Sequence, residues 1–103
     1  MRGFAIDGEI ALDGELIIYR AAEAKSMFLA SLGDPGPLDI NLSRVTELDS
    51  AGVQLLIWAR HLCEQRAKPL RIIAPSAAVL DVLQLLDLNG QFVVVTSGPQ
   101  ADA

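Results

Sequence analysis

The sequence predicts an α/β fold, a single domain with a mainly parallel four- to five-stranded sheet, an antiparallel N-terminal strand and three or four flanking helices. From Leu38 onward, short apolar segments alternate with segments of helical periodicity. Such alternation implies right-handed crossovers between parallel strands. Near the N-terminus, two short apolar segments flank an Asp-Gly dipeptide, which is typical of a hairpin. A chain of 103 residues with 51% hydrophobic residues can bury a core without disulfides.

The N-terminal hairpin has two candidate turns. Residues 4–6 and 10–12 are strand-like and are joined through Asp7-Gly8. A second dipeptide, Asp13-Gly14, would instead make residues 16–19 the returning strand. Both dipeptides suit the positive φ angles of a tight turn, so the pattern alone leaves the choice open.

The first helix is predicted over residues 21–32. Ala21, Ala24, Phe28 and Leu32 recur at helical spacing and form one core face. The segment 33–37 (Gly-Asp-Pro-Gly-Pro) ends this helix, because proline cannot continue a helix and glycine tolerates a left-handed cap. We expect a surface loop there.

A strand, a loop and a long helix follow. Residues 38–42 alternate apolar and polar side chains, residues 43–48 are expected to form a loop, and a helix is expected from about Ser50 to Gln65. Its predicted core face comprises Gly52, Leu55, Leu56, Ala59, Leu62 and Cys63.

Three apolar side chains lie beside this core face. Val53 and Ile57 are predicted on one flank of the helix and Trp58 on the other. Apolar residues beside a polar helix face are either a partner surface or contacts beneath neighbouring loops, and the pattern does not separate the two.

The last elements are a strand at residues 70–73, a helix that Pro75-Ser76 opens, and a strand at residues 92–95. The helix is predicted to bury Val79, Val82, Leu83 and Leu86. The last strand is apolar enough to be buried on both faces. We expect the domain to span residues 1–96, with a polar tail at residues 97–103.

The net charge disfavours some classes of binding partner, and the cysteine content bears on the cellular location. The formal net charge of −5 disfavours nucleic acid and anionic membrane surfaces, which attract basic patches. The one cysteine cannot form an internal disulfide, and no leader pattern precedes the fold, which indicates a cytoplasmic protein. No apolar run approaches the ~20 residues needed to span a bilayer, so we expect no membrane insertion.

The usual catalytic patterns are missing. His61 and Cys63 lie two residues apart on one helix, which does not suggest a Cys/His pair, a metal site or a cofactor site. The glycines at 33 and 36 follow a helix, whereas a phosphate loop follows a strand. Sequence distance alone leaves open a spatial arrangement around Ser43, Ser50 or Ser76. We expect a non-enzymatic protein without catalytic residues, cofactor or metal.

Asp49-Ser50 at the start of the long helix is the remaining candidate site. Asp and Ser are common N-caps, which is sufficient to explain the pair structurally. A hydroxyl on the first turn of a helix also lies among backbone N–H groups at the positive end of the dipole, where a phosphate is stabilised.

Several ordered segments resemble one family. Residues 41–53 (NLSRVTELDSAGV) are similar to the signature segment of STAS domains, the anti-anti-sigma factors and their relatives. Gly14-Glu15-Leu16 before the first helix and residues 75–80 (PSAAVL) resemble two further family segments. The likeness extends from about residue 4 to residue 95, and the sequence is similar to stand-alone STAS proteins of bacterial chemotaxis and signalling systems.

The resemblance implies a function and a site. In anti-anti-sigma factors, a partner serine kinase that is also the anti-sigma factor phosphorylates the serine after the motif aspartate, and here that serine is Ser50. It also favours Asp7-Gly8 as the turn, with residues 16–19 as an extended lead into the first helix. The predicted partner-binding residues are Asp49, Ser50, Glu47, Val53, Ile57 and Trp58.

Three positions depart from the family pattern and so change the charge near Ser50. Asn41 and Ile17 stand where the family commonly has aspartate, and Glu47 stands at an apolar loop position. A second hypothesis is a constitutive subunit of a lipid-transport ABC complex, in which a charged residue stands at the position of Glu47. Exposed apolar flanks of the helix could also pair two copies into a weak homodimer.

Overall fold

A computed structural model describes residues 2–6 and 9–96. Five strands and three α-helices follow in the order that the periodicity predicts. The elements are β1 (Arg2–Ile6), β2 (Glu9–Leu16), α1 (Ala21–Ser31), β3 (Leu38–Leu48), α2 (Ser50–Gln65), β4 (Leu70–Ile73), α3 (Ala77–Leu85) and β5 (Val93–Val95). Two short 3₁₀ helices, Ile18–Arg20 and Asn89–Gln91, precede α1 and β5. The tail predicted at residues 97–103 lies outside the described residues.

The strands form one sheet in the order β1-β2-β3-β4-β5. β1 is antiparallel to β2, and the remaining neighbours are parallel. Ile6 pairs with Glu9, so β1 and β2 are joined through Asp7-Gly8, whose own residues lie outside the described part of the chain. Asp13-Gly14 lies within β2 opposite β3, which excludes the rival hairpin.

One face of the sheet carries the core. Ile10, Ile40 and Ile72 are paired across β2, β3 and β4, and all three are fully buried. They join the buried side chains of the helices in one cluster, among which Phe28 of α1 and Leu56 of α2 have no solvent exposure. The opposite face carries half-buried polar side chains, so the helices cover one side of the sheet.

That opposite face is held together by paired polar groups. The Arg71 guanidinium donates two hydrogen bonds of 2.7 Å to the Asp39 carboxylate across β3 and β4. This contact raises the pKa of Arg71 above its ordinary value, through the hydrogen bond and the charge of Asp39. The exposed face therefore presents a neutralised ion pair rather than two separate charges.

Four structural expectations require correction. Residues 43–48 are not a loop, because β3 continues to Leu48 beside β2 with two register shifts. The lead at residues 16–19 is extended only at its start, since a 3₁₀ turn begins at Ile18. Leu86 lies beyond the end of α3 and is exposed. The last strand is not buried on both faces, because the helices cover one face of the sheet and leave Val93 and Val95 exposed on the other.

The loop between α1 and β3 is fastened to the end of α2. The Lys68 ammonium donates hydrogen bonds to the backbone carbonyls of Asp34 and Gly36. Gly36 has a φ of 83°, a left-handed conformation that favours glycine. Within the described residues, no helix has the length and apolar content required to cross a membrane.

Candidate functional site

The site is built on irregular pairing between β2 and β3. The register shifts occur between Ala11 and Asp13 and between Gly14 and Glu15, and β3 has the additional residues. Val45 and Leu48 remain buried, whereas Thr46 and Glu47 between them are exposed. Bulges of this kind redirect side chains and are common beside functional sites. Beyond these bulges, β3 continues to Leu48, and α2 begins two residues later at Ser50.

Asp49 fixes the start of α2 and the segment before α1. Its Oδ1 accepts a hydrogen bond from the Gly52 backbone N–H at 2.9 Å, which makes Asp49 the N-cap. Its Oδ2 accepts from the Ile18 backbone N–H at 3.3 Å. One carboxylate thus links the first turn of α2 to the 3₁₀ turn, and its role is to position this edge.

Gly52 permits the close approach of α2 to the end of β2. A Cβ at this position would overlap the Leu16 backbone carbonyl and a methyl group of Leu48. The missing side chain of Gly52 therefore serves packing. Because the neighbour is backbone, it cannot yield as a flexible side chain could.

Ser50 is the first residue of α2 and its side chain is exposed. The first backbone N–H groups of a helix have no intrahelical carbonyl partner. The Asp49 carboxylate accepts from the N–H of Gly52, while Ser50 beside it is exposed to solvent. Of the two candidate caps, Asp49 is therefore the N-cap and is half-buried, whereas Ser50 is the exposed first residue of the helix.

Two carboxylates face each other at the same end of the sheet. Glu15 of β2 pairs directly with Glu47 of β3, and both are exposed. Like charges opposite each other on neighbouring strands are unfavourable. This acidic edge lies at the carboxyl ends of parallel strands, where ligand and partner contacts concentrate in α/β sheets.

The apolar candidates on α2 differ in accessibility. Val53 is only 4% exposed and belongs to the core, which favours contacts beneath neighbouring elements over a partner surface at this residue. The reason is local: Val53 lies one turn before Leu56, which is fully buried, and the covered part of the helix is wider than one stripe. Ile57 and Trp58 are half-buried and pack against the core with part of their surface accessible.

A groove next to Ser50 joins α2 to the segment before α1. Its volume is about 540 Å³, and its lining residues are Ile18, Ala21, Ala22, Lys25, Ala51, Gln54, Leu55 and Trp58. The Lys25 ammonium lies 4.8 Å from the centroid of the Trp58 ring, a cation–π contact. The groove therefore combines an apolar floor with the positive charge of Lys25, in a protein whose net charge is −5.

Sequence reasoning missed the α1 side of this groove. Ile18 is 63% exposed and Tyr19 is 87% exposed, although both stand in a segment that resembles a strand. The sequence did contain an indication, because two large apolar residues directly before a predicted helix are either part of a strand or exposed on a surface. Nothing in the sequence indicates that Lys25 belongs to the groove, since only the packing of α1 against α2 brings its ammonium over the Trp58 ring.

Asn41 lies on the open face of the sheet rather than at the Ser50 edge. Its Nδ2 donates to Glu9 Oε2 at 2.7 Å, and its Oδ1 accepts from the backbone N–H and the hydroxyl of Ser43 at 2.9 and 2.7 Å. The amide thus serves as donor and acceptor together. An aspartate there would place a carboxylate against Glu9.

The remaining nucleophile candidates have structural roles. Ser76 caps α3, because its Oγ accepts from the Val79 N–H at 3.3 Å and donates to the Val45 carbonyl at 2.6 Å. Cys63 is buried, and burial raises the pKa of its thiol despite the opposing charges of Lys68 and Arg66. Within residues 2–6 and 9–96, no three His, Cys, Asp or Glu residues are grouped to hold a metal ion.

Known proteins share this architecture. The crystal structure of a candidate anti-sigma factor antagonist, tm1081 from Thermotoga maritima, matches with a TM-score of 0.77 at 19% identity, covering 97% of this chain and 89% of that one. The anti-sigma factor antagonist SpoIIAA in its unphosphorylated form matches with a TM-score of 0.74 at 22% identity, covering 98% and 92%. The NMR structure of TM1081 gives 0.74 at 18% identity, covering 96% and 82%.

Sequence comparison agrees with the structural likeness. No match to a curated protein was found. The family described as "Mlab, STAS domain" matches residues 4–96, which include every described helix and the strands β2 to β5. The chain belongs to the STAS domain family.

Proposed function

We propose that this chain is a regulatory, non-enzymatic protein-binding module of the anti-anti-sigma type. The accessible Ser50 hydroxyl at the start of α2 is the observation that carries the proposal. In this proposal an anti-sigma factor with serine kinase activity docks around Ser50 and phosphorylates it. The solved structures of similar fold include SpoIIAA, an anti-sigma factor antagonist whose unphosphorylated form is known, which supports this function.

The docking surface consists of Ser50, the acidic pair Glu15 and Glu47, and the groove beside Trp58. We propose that apolar side chains of the partner enter the groove, because Ile18, which lines it, and the adjacent Tyr19 expose large apolar surfaces. Aromatic residues of this kind commonly dominate binding energy. Basic side chains of the partner would meet the two carboxylates, because Glu15 and Glu47 are paired with each other across the strands and both are exposed.

Phosphorylation of Ser50 would then release the partner. A phosphate adds about −1.5 to −2 charge and three acceptor oxygens at neutral pH. In the free protein, the first-turn N–H groups of α2 would stabilise it. In the complex, the phosphate on Ser50 would require space and hydrogen-bond donors within a tightly packed interface. The added charge would also lie beside Glu47, three residues before Ser50.

The test compares wild type with Ser50→Ala and Ser50→Asp as tagged baits in the native cell. Wild type and Ser50→Ala should retain a serine kinase of the anti-sigma type, and Ser50→Asp should retain about tenfold less, as expected for charge repulsion of about 1.4 kcal/mol. Gln65→Glu is the matched control. It adds one negative charge on the exposed end of the same helix, about 22 Å away at 1.5 Å per residue.

Two outcomes would contradict the switch. Equal retention of the kinase by Ser50→Ala and Ser50→Asp would show that charge at this position does not regulate docking. Retention of a membrane ATPase by all four baits would instead support a constitutive transport subunit. Intact-mass measurement after incubation with the recovered kinase should add one phosphate to wild type and none to Ser50→Ala.

A further inference from the structure

The groove beside Trp58 carries the positive charge of Lys25. Among the described residues that line the groove, none has a carboxylate. The basic side chains of residues 2–6 and 9–96 that lie within ion-pair distance of a carboxylate are Arg60, His61 and Arg71. The residues one helical turn from Lys25 on α1 are the uncharged Ala21, Ala22, Phe28 and Leu29. Neither helix of the groove therefore neutralises this charge, although the whole chain has a net charge of −5.

The contact with Trp58 spans the groove from one helix to the other. Lys25 belongs to α1 and Trp58 to α2, and the ammonium lies 4.8 Å from the centroid of the indole ring. The ring attracts the cation through its π face but has no negative charge of its own, so the ammonium keeps its full charge. The stack therefore places an accessible positive charge directly beside the apolar floor of the groove.

The two ends of the docking surface have opposite charges. Glu15 and Glu47 lie opposite each other at the Ser50 edge, whereas Lys25 lies over Trp58. Trp58 is about 12 Å along α2 from Ser50, at 1.5 Å per residue. Charges of opposite sign at two fixed positions favour one orientation of a partner and disfavour surfaces of a single sign. A uniformly basic partner surface would suit the carboxylates but would be repelled at Lys25.

We propose that the partner segment that enters the groove carries an aspartate or glutamate whose carboxylate pairs with Lys25, while apolar side chains next to it contact the groove floor. Lys25 is then a specificity-determining residue of the docking surface. The inference rests on the proposed function, because it assigns the chemistry of the segment that the kinase partner places at this surface.

Charge complementarity selects this segment over the alternatives. A basic segment would meet a like charge at Lys25. A wholly apolar segment would cover the ammonium without supplying a counter-charge, and removing an unpaired charge from water is costly. A carboxylate beside apolar side chains satisfies the ammonium and the groove floor together, so this combination is the one that the lining residues favour.

Carbodiimide crosslinking tests the ion pair at a single amine. The reagent activates a carboxylate, the lysine amine displaces the activating group to form an amide, and the carbodiimide leaves as a urea. The sequence has two lysines, and the second, Lys68, donates to backbone carbonyls in the loop between α1 and β3. In the complex of Ser50→Ala with the recovered kinase, mass spectrometry should find Lys25 joined to an aspartate or glutamate of the kinase. Lys25→Arg keeps the charge, so it should retain the kinase within about twofold and lose this crosslink.

Charge reversal separates the ion pair from the overall charge of the protein. In the Ser50→Ala background, Lys25→Glu should retain about tenfold less kinase, because the carboxylates then repel each other. Arg66→Glu is the matched control, since it changes the net charge by the same amount at an exposed residue outside the groove, and it should retain the kinase within about twofold. Both side chains are exposed, so both variants should keep the thermal unfolding midpoint within a few degrees.

The outcomes distinguish this inference from the switch at Ser50. Equal retention of the kinase by Lys25→Glu and Arg66→Glu would overturn the inference and leave the switch intact. A complex in which Lys25 is not joined to a carboxylate of the kinase would do the same. If wild type and Ser50→Ala retain no serine kinase, the proposed function fails and this inference fails with it.

Discussion

Asn41 shows how one residue can be required by its neighbours rather than by the site. Its amide donates to the Glu9 carboxylate and accepts twice from Ser43, so neither aspartate nor alanine can replace all three bonds. The position differs from the acidic residue common in the family, and the difference follows from the glutamate on the adjacent strand. The charge balance at the Ser50 edge is set separately, by Glu15 and Glu47.

Asn41→Asp should destabilise the protein at neutral pH by about 1–3 kcal/mol, because two carboxylates would then meet at hydrogen-bond distance. Their repulsion raises at least one carboxyl pKa in the folded state. The lost stability should therefore return as the pH falls below about 4, where the unfolded chain is also protonated. Urea unfolding at pH 7 and pH 4 measures both values.

The double variant Asn41→Asp/Glu9→Gln is the control for this prediction. Glutamine can donate to the new aspartate, so most of the stability at pH 7 should be restored. An Asn41→Asp protein as stable as wild type at pH 7 would mean that the hydrogen bond between Asn41 and Glu9 contributes little.

At the scale of elements, the start of α2 is the most constrained junction. The helix begins where Asp49 caps it, and it lies against the end of β2 because Gly52 has no side chain. The 3₁₀ turn before α1 is tied to the same carboxylate. Ser50 is therefore presented by a junction that the Asp49 hydrogen bonds and the close approach at Gly52 hold together.

Gly52→Ala should lower the free energy of unfolding by about 1–3 kcal/mol, the usual cost of inserting a methyl group into a packed contact. The new Cβ would overlap the Leu16 carbonyl, so the helix must shift. Gly33→Ala is the matched control, since a Cβ there meets nothing within 4 Å. That variant should be neutral or more stable by up to about 1 kcal/mol. Equal stabilities of the two variants in urea unfolding would contradict the close approach.

At the scale of the whole molecule, the buried thiol of Cys63 makes the free energy of unfolding depend on pH in the alkaline range. Burial raises the pKa of Cys63 in the folded protein, so between the unfolded and folded pKa values the folded state holds the proton more tightly. Stability is then fully present below about pH 8.5, the ordinary cysteine pKa, and declines as the pH rises through the raised value.

Cys63→Ala isolates this effect from other titrating groups. The stability of wild type relative to Cys63→Ala should decrease from pH 7.5 to pH 10.5, as measured by urea unfolding in reducing buffer. A relative stability that does not change with pH would contradict the raised pKa. The folded wild type should also react slowly with a thiol reagent at pH 8 and rapidly once unfolded, because the thiolate is the reactive form.

The sequence determined the features that depend on local chemistry. The order of strands and helices, the bounds of α2 at Ser50 and Gln65, the breaker loop and a cap at Asp49-Ser50 all follow from periodicity and capping within a few residues. The tertiary structure alone decided which side chains beside the predicted core faces are covered. Val53 is buried, β5 is an exposed edge, and Lys25 lies over Trp58, because each depends on which neighbour packs there, and periodicity carries no information about the neighbour.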